Sequence, residues 1–287
     1  MVYFDLWKKP FLSPQKRKNI PFMLGAIIGD IVGSRFERRN RRDKNFELFT
    51  GSCAFTDDSV MTAAIARALM DRCDSPEALA ERAARRMREL GRIYPDRGFG
   101  GLFRRWIAAE VPRPYNSFGN GAAMRVSPCA WAADSLEEAL RLSRAVTAVT
   151  HNHPEGIKGA EATAAAIFLA REGKTIAEIR GHIEKNYYRL DFTLDDVRPS
   201  YRFDASCQGS VPQAIEAFCE SSGFEDTIRG AVSIGGDSDT VAAIAGSIAE
   251  AYYGIPSLLR ECALTFLDER LTTIVTDFEA LYPPKIV

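Results

Sequence analysis

The segment Leu24–Gly33, LGAIIGDIVG, constrains the fold more than any other stretch of the chain. Gly25, Gly29 and Gly33 recur every four residues, which puts them on one face of an α-helix. Glycine weakens a helix interior by about 1 kcal/mol relative to alanine. Three on one face are best compensated if another backbone comes close along that face. Further Ala-rich stretches with helical periodicity cover 59–70, 77–90, 137–149, 157–171, 211–220 and 240–253. No alternating strand pattern competes with them, and only 187–198 can be read either way. There is no repeat of fixed period and no low-complexity segment. The reading is an all-α fold. A chain of 287 residues, 46% hydrophobic, can bury one large core, although length alone would also admit two domains.

Charge and cysteine usage narrow the class. Lys+Arg 37 against Asp+Glu 38 leaves a net charge of -1. No global field draws the chain to nucleic acid or to an acidic membrane surface. An anionic ligand would have to be held locally. Cys53, Cys73, Cys129, Cys207, Cys219 and Cys262 show no CxxC spacing, and a chain of this size does not need disulfides. They read as free thiols. With three histidines and no Cys/His cluster, zinc is not expected. Lys8, Lys9, Lys16, Arg17 and Lys18 precede an apolar run from Phe22 to Val32, which resembles a signal peptide. Asp30 interrupts the run and no small-residue cleavage site follows. The run is also too short to cross a bilayer. A cytoplasmic protein without a membrane anchor is the expectation. Residues 1–21 stand apart, being basic, with Pro10, Pro14 and Pro21 among Phe4, Trp7 and Phe11. They are read as an N-terminal extension, and 22–287 as the globular domain.

Two acidic motifs carry the chemistry. Phe55-Thr56-Asp57-Asp58-Ser59 precedes one helical stretch, and Gly235-Gly236-Asp237-Ser238-Asp239-Thr240 precedes another. Asp, Ser and Thr are favoured helix N-caps, and an acid near a helix start is stabilised by the helix dipole. Either motif alone would be read that way. Capping needs one side chain, however, and each motif offers three oxygen ligands. Crowded carboxylates repel unless a cation lies among them. An all-oxygen set indicates a hard ion, Mg²⁺ or Mn²⁺.

Three further features lie near these motifs in sequence type. Arg97-Gly98-Phe99-Gly100-Gly101 and Asn116-Ser117-Phe118-Gly119-Asn120-Gly121 are glycine-bearing loops. Such loops make tight turns between helices, or anion nests that suit a phosphate. Neither fits a P-loop or a Rossmann pattern. Thr150-His151-Asn152-His153-Pro154 places two histidines at a helix entry. The run Arg35–Lys44 holds six basic residues, with Glu37 at its root. It is either a solvated loop or a flap beside an anionic ligand.

Taken in order, GAIIGDIVGSRFE, FTDDS, GNGAAMR, THNHPEG and GGDSDTVAAIAG resemble the ADP-ribosylglycohydrolase family from about Met23 to Gly254. Residues 1–22 fall outside the likeness and 172–206 match poorly. The resemblance implies a compact orthogonal helical bundle. It implies two Mg²⁺ ions, or Mn²⁺, held by Thr56, Asp57, Asp58, Asp237, Asp239 and Thr240. It implies that Glu37 or a metal-held water attacks the anomeric carbon, with Asp57, Asp58 and Asp239 supporting catalysis. Gly98, Gly100, Ser117, Gly119, Asn120 and Gly121 would contact the diphosphate and adenosine. Phe118 would pack on adenine and His151 would lie near the distal ribose. The expected activity is removal of ADP-ribose from an ADP-ribosylated protein, arginine foremost, by a monomeric enzyme. Two other readings stay open. One is a two-metal hydrolase of a small phosphorylated metabolite. The other is an immunity or neutralising protein whose partner is an ADP-ribosyltransferase toxin bound through residues 1–21.

Overall fold

The computed structural model describes residues 23–71 and 75–283. Cys73 and the N-terminal extension lie outside the described residues. The five described cysteines are free. Fourteen α-helices and no strand occur among the described residues. The order is α1 (Leu24–Ser34), α2 (Asp57–Met70), α3 (Pro76–Ile93), α4 (Gly101–Ala108), α5 (Ser127–Ala132), α6 (Leu136–Ala148) and α7 (Pro154–Arg171). There follow α8 (Ile176–Asn186), α9 (Leu194–Val197), α10 (Cys207–Cys219), α11 (Phe224–Ser233), α12 (Ser238–Tyr253), α13 (Ser257–Leu264) and α14 (Glu269–Leu281). The ambiguous stretch 187–198 is a turn leading into α9, whose start is a capping box of Thr193 and Asp196. No helix of the described residues is long and apolar enough to cross a membrane.

α12 is the central element. Every residue from Ser238 to Ala251 is buried, as a helix of small or apolar residues on all sides between Val241 and Ala249 requires; its polar residues Asp239, Thr240 and Glu250 lie at the two ends. It packs against α1, α7, α10, α11 and α2. The contact with α1 is a backbone contact. A Cβ on Gly25 would lie 2.3 Å from the carbonyl oxygen of Gly246, and one on Gly29 would lie 2.0 Å from that of Ala242. A Cβ on Gly33 would stand 2.4 Å from Cα of Asp239. The glycine face read in the sequence is therefore the face that α12 occupies. The contact is also polar at its far end, where the carboxylate of Glu250 accepts from the backbone N–H of Leu24 at 3.1 Å and of Gly25 at 3.0 Å. A carboxylate from α12 thus caps the first turn of α1, satisfying donors that a helix start leaves open.

Replacing Gly29 by alanine drives a methyl group into main chain that has no rotamer to yield. Overpacking of this kind costs about 1–3 kcal/mol. Urea unfolding of Gly29→Ala should show that loss, whereas a midpoint equal to the parent's would mean that the helices can separate at no cost.

Candidate active site

The two acidic motifs meet at one cavity of about 360 Å³, lined by Glu37, Thr56, Asp57, Asp58, Asp237, Asp239 and Thr240. α2 and α12 begin there, so each motif presents its acids from a first turn. Thr56 does cap α2, accepting from the N–H of Asp58 at 3.3 Å. Asp237 sits at the cap position of α12 but makes no capping bond. Its carboxylate instead accepts from Asn120 Nδ2 at 2.7 Å. The two motifs touch directly, because Thr240 Oγ1 donates to Asp58 Oδ2 at 3.2 Å.

Gly235 and Gly236 give the second motif its approach. Both have left-handed backbones, φ +72° and +73°, which side chains rarely adopt. A Cβ on Gly236 would also strike the ring of Tyr201. Asn40 holds this turn, donating to the carbonyl of Gly236 at 3.1 Å and accepting from its N–H at 3.0 Å.

Asp30 is the member of the site that motif reading missed. It is fully buried in the apolar α1. It accepts from Thr56 N at 2.9 Å, Thr56 Oγ1 at 2.6 Å and Ser59 N at 3.0 Å, and also from Ser59 Oγ. Asp30 therefore fixes the start of α2 and with it Asp57 and Asp58. The signal lies in the sequence, since a carboxylate in an otherwise apolar helix needs such partners.

The Arg35–Lys44 run is tied to its surroundings. Arg42 donates to the carbonyls of Arg198 at 2.8 Å, Tyr201 at 2.7 Å and Ile234. Lys44 pairs with Asp226 at 2.8 Å. Arg38 and Arg39 remain as exposed charges next to Glu37.

The opposite wall is made of donors and small residues. Gly98, Gly100 and Gly101 line it where α4 begins, and Ser117, Gly119, Asn120, Gly121 and His151 complete it. A Cβ on Gly98 would lie 2.9 Å from Asp57 Oδ1, so this loop abuts the acids. A single antiparallel bridge between Gly119 and Ser206 ties the turn to the segment before α10. Phe118 is not part of the lining. Its ring is 47% exposed and rests against His153, with centroids 5.3 Å apart, although both its neighbours line the cavity. Phe203, 56% exposed, and Tyr115 do line it, and neither was singled out in the sequence.

A family model described as ADP-ribosylglycohydrolase matches residues 14–283. The chain belongs to the ADP-ribosylglycohydrolase family and is an enzyme of that class. The match starts inside the segment that composition set apart and runs beyond Gly254. An ADP-ribosylhydrolase ARH3 of Bos taurus is 28% identical, with 81% of this chain and 84% of that protein covered. An ADP-ribosylarginine hydrolase, Tri1 of Pseudomonas putida, is 26% identical over 82% of this chain and 70% of its own length. A solved ADP-ribosylglycohydrolase-related protein complex matches with a TM-score of 0.66 at 25% identity, covering 94% of this chain and 99% of that one.

The electrostatics of the acidic wall are one-sided. Burial pushes the Asp57 carboxyl up to about 8, reinforced by Asp30, Asp237 and Glu37. Asp58 and Asp239 are raised well above the usual range by burial, with Asp30 among the repelling neighbours of each. Burial and Asp237 raise Glu37. Burial also raises the Asp237 carboxyl, which accepts from Asn120, and Asp237 in turn repels Asp239. Such raised groups favour the folded state most below their unfolded values, near pH 4, and lose that contribution as pH rises through the folded ones. In chelator, the melting temperature should therefore fall steadily between about pH 5 and about pH 8. A melting temperature that is flat or rises over that range would contradict the burial of these acids.

Proposed function

We propose that this cavity hydrolyses the glycosidic bond between ADP-ribose and a modified protein side chain, with arginine as the linkage. The observation that carries the reading is the convergence of two acidic helix starts on a cavity whose other wall is a glycine turn and a helix N-terminus. The arginine linkage draws support from the relative named for ADP-ribosylarginine.

Divalent cations fit the acidic wall. Asp58 Oδ1 is buried and has no hydrogen-bond partner, a costly state that a cation relieves. Among the described residues, no three His, Cys, Asp or Glu side chains form a ready-made cage. The donor set we propose includes hydroxyls: Thr56, Asp57, Asp58, Asp237, Asp239 and Thr240, all hard oxygens of the kind Mg²⁺ and Mn²⁺ take. Two bound Mg²⁺ ions would supply charge neutralisation and Lewis acidity.

The chain's own groups supply the rest. The N–H groups at Gly100 and Gly101, at the start of α4, receive the diphosphate. Glu37 takes the proton of the attacking water, and its raised proton affinity suits a base working near neutral pH. The water oxygen bonds to the anomeric carbon as the bond to the arginine nitrogen breaks; the substituted guanidinium leaves as a neutral guanidine, which takes up the proton that Glu37 received. The positive charge that develops on the sugar is stabilised by the surrounding carboxylates. Asn120 keeps Asp237 aimed at the cavity. Phe118 would turn from His153 to stack on the base.

Two experiments check this reading. Peptides carrying ADP-ribosyl-arginine and ADP-ribosyl-serine, incubated with and without Mg²⁺, should release free ADP-ribose from the arginine peptide only with the cation. Asp57→Ala and Asp239→Ala should lower turnover by roughly 100-fold or more, as loss of key electrostatic groups does. Release in excess EDTA, or from the serine peptide alone, would overturn the corresponding part. Calorimetry with ADP-ribose tests the base contact. Phe118→Ala should weaken binding by about 1–3 kcal/mol, and an unchanged affinity would remove Phe118 from the site and leave Phe203 as the aromatic of the lining.

A further inference from the structure

His151 stands at the end of a chain of hydrogen-bond donors. Arg125, 1% exposed, donates from Nη2 to Thr150 Oγ1 at 2.7 Å. Its Nε has no partner, and no carboxylate among the described residues pairs with it. The Thr150 hydroxyl, having accepted from Arg125, lies 2.7 Å from His151 Nδ1, while its other acceptor, the carbonyl of Thr147, is 3.5 Å away. Arg125 Nη2 is itself 3.5 Å from Nδ1.

A guanidinium has no lone pair to offer. A hydrogen on Nδ1 would face the guanidinium on one side, and on the other would make the Thr150 hydroxyl accept twice and turn its own hydrogen to the Thr147 carbonyl 3.5 Å away. The 2.7 Å contact is better served by the hydroxyl donating to Nδ1, which leaves the ring hydrogen on Nε2. A second ring proton would create an imidazolium beside a buried, unpaired cation, which burial and Arg125 together oppose. No neighbour offsets this. Tyr115, with ring centroid 5.8 Å from that of His151, stays a neutral phenol pushed up to about 12, and burial holds the nearby Cys207 thiol at about 12 as well. Nε2 faces the glycine turn, 3.5 and 3.3 Å from where a Cβ would stand on Gly119 and Gly121.

We infer that Arg125 and Thr150 are positioning residues that lock His151 as a neutral, Nε2-protonated imidazole, a fixed hydrogen-bond donor to the cavity that takes no part in proton transfer. The identity of the acceptor as an oxygen of ADP-ribose rests on the function proposed above; the locked tautomer does not.

The ring nitrogens report this directly. In ¹⁵N-labelled full-length protein, with His153 and His182 assigned through His153→Gln and His182→Gln, His151 should show a bare Nδ1 and a protonated Nε2. It should not titrate from about pH 5 to about pH 9, the window in which free histidines do. Thr150→Val should mix the tautomers and Thr150→Ser should restore the parent pattern. Arg125→Met, where it folds, should bring the His151 titration into the window. Thr150→Val should raise KM by roughly 3- to 10-fold, the loss of one hydrogen bond, with kcat held. A hydrogen on Nδ1, an ordinary titration of His151 in the parent, or identical ring shifts in Thr150→Val and Thr150→Ser would overturn the inference. If the lock is seen but ADP-ribose leaves the Nε2 resonance in place, the lock stands and the ADP-ribose reading fails.

Discussion

The backbone contact between α1 and α12 governs the whole site. Three glycines let the helix axes approach until main chain meets main chain, closer than helices bearing larger side chains can come. At that separation Gly33 abuts Asp239, while Asp30 on another face of α1 caps α2. One helix therefore sets the spacing between two carboxylate pairs that are about 180 residues apart in the chain, as the Asp58–Thr240 hydrogen bond makes concrete. A wider helix pair would leave every acid in place on its own helix and still separate the pairs.

The cavity is divided by charge. One wall gathers acids with no basic side chain paired to any of them, and the other gathers helix-start amides, a buried guanidinium and a neutral imidazole. Each wall is costly alone, since burial penalises like charges on one side and an uncompensated cation on the other. A ligand with a cation-bridged sugar at one end and a diphosphate further along would relieve both costs, which is why we favour ADP-ribose over smaller phosphorylated substrates. A larger open groove of about 660 Å³ beside α3 and α14 has no such division, and its Arg86 is already paired with Asp71 and Glu89.

Helices and motifs were legible because their signals are local. The glycine spacing, the Ala-rich periodicity and the two acidic helix starts are each read within about a dozen residues, and each corresponds to an element of the fold. What could not be read depends on chain-distant partners. Asp30 gains its meaning from Thr56 and Ser59, and Glu250 from Leu24 and Gly25. Arg125 belongs to the GNGAAMR motif, but its role comes from Thr150 and His151, 25 and 26 residues further along the chain and packed directly against it. Phe118 and Phe203 show the same limit from the other side. The neighbours of Phe118 identify its loop, nothing near Phe203 does, and only the fold decides which ring faces the cavity.

The Glu250 cap has a consequence for how the chain is made. The residue that completes the first turn of α1 lies 226 positions downstream. A ribosome adding ~5–20 residues per second needs roughly 10–45 s to bring it out. Throughout that interval the apolar first helix has emerged without the surface it was shaped to meet. Its glycine face offers bare main chain to any other partner, and its buried acid can settle only on α2. The contact that orders the start of the domain is thus among the last that a growing chain can make.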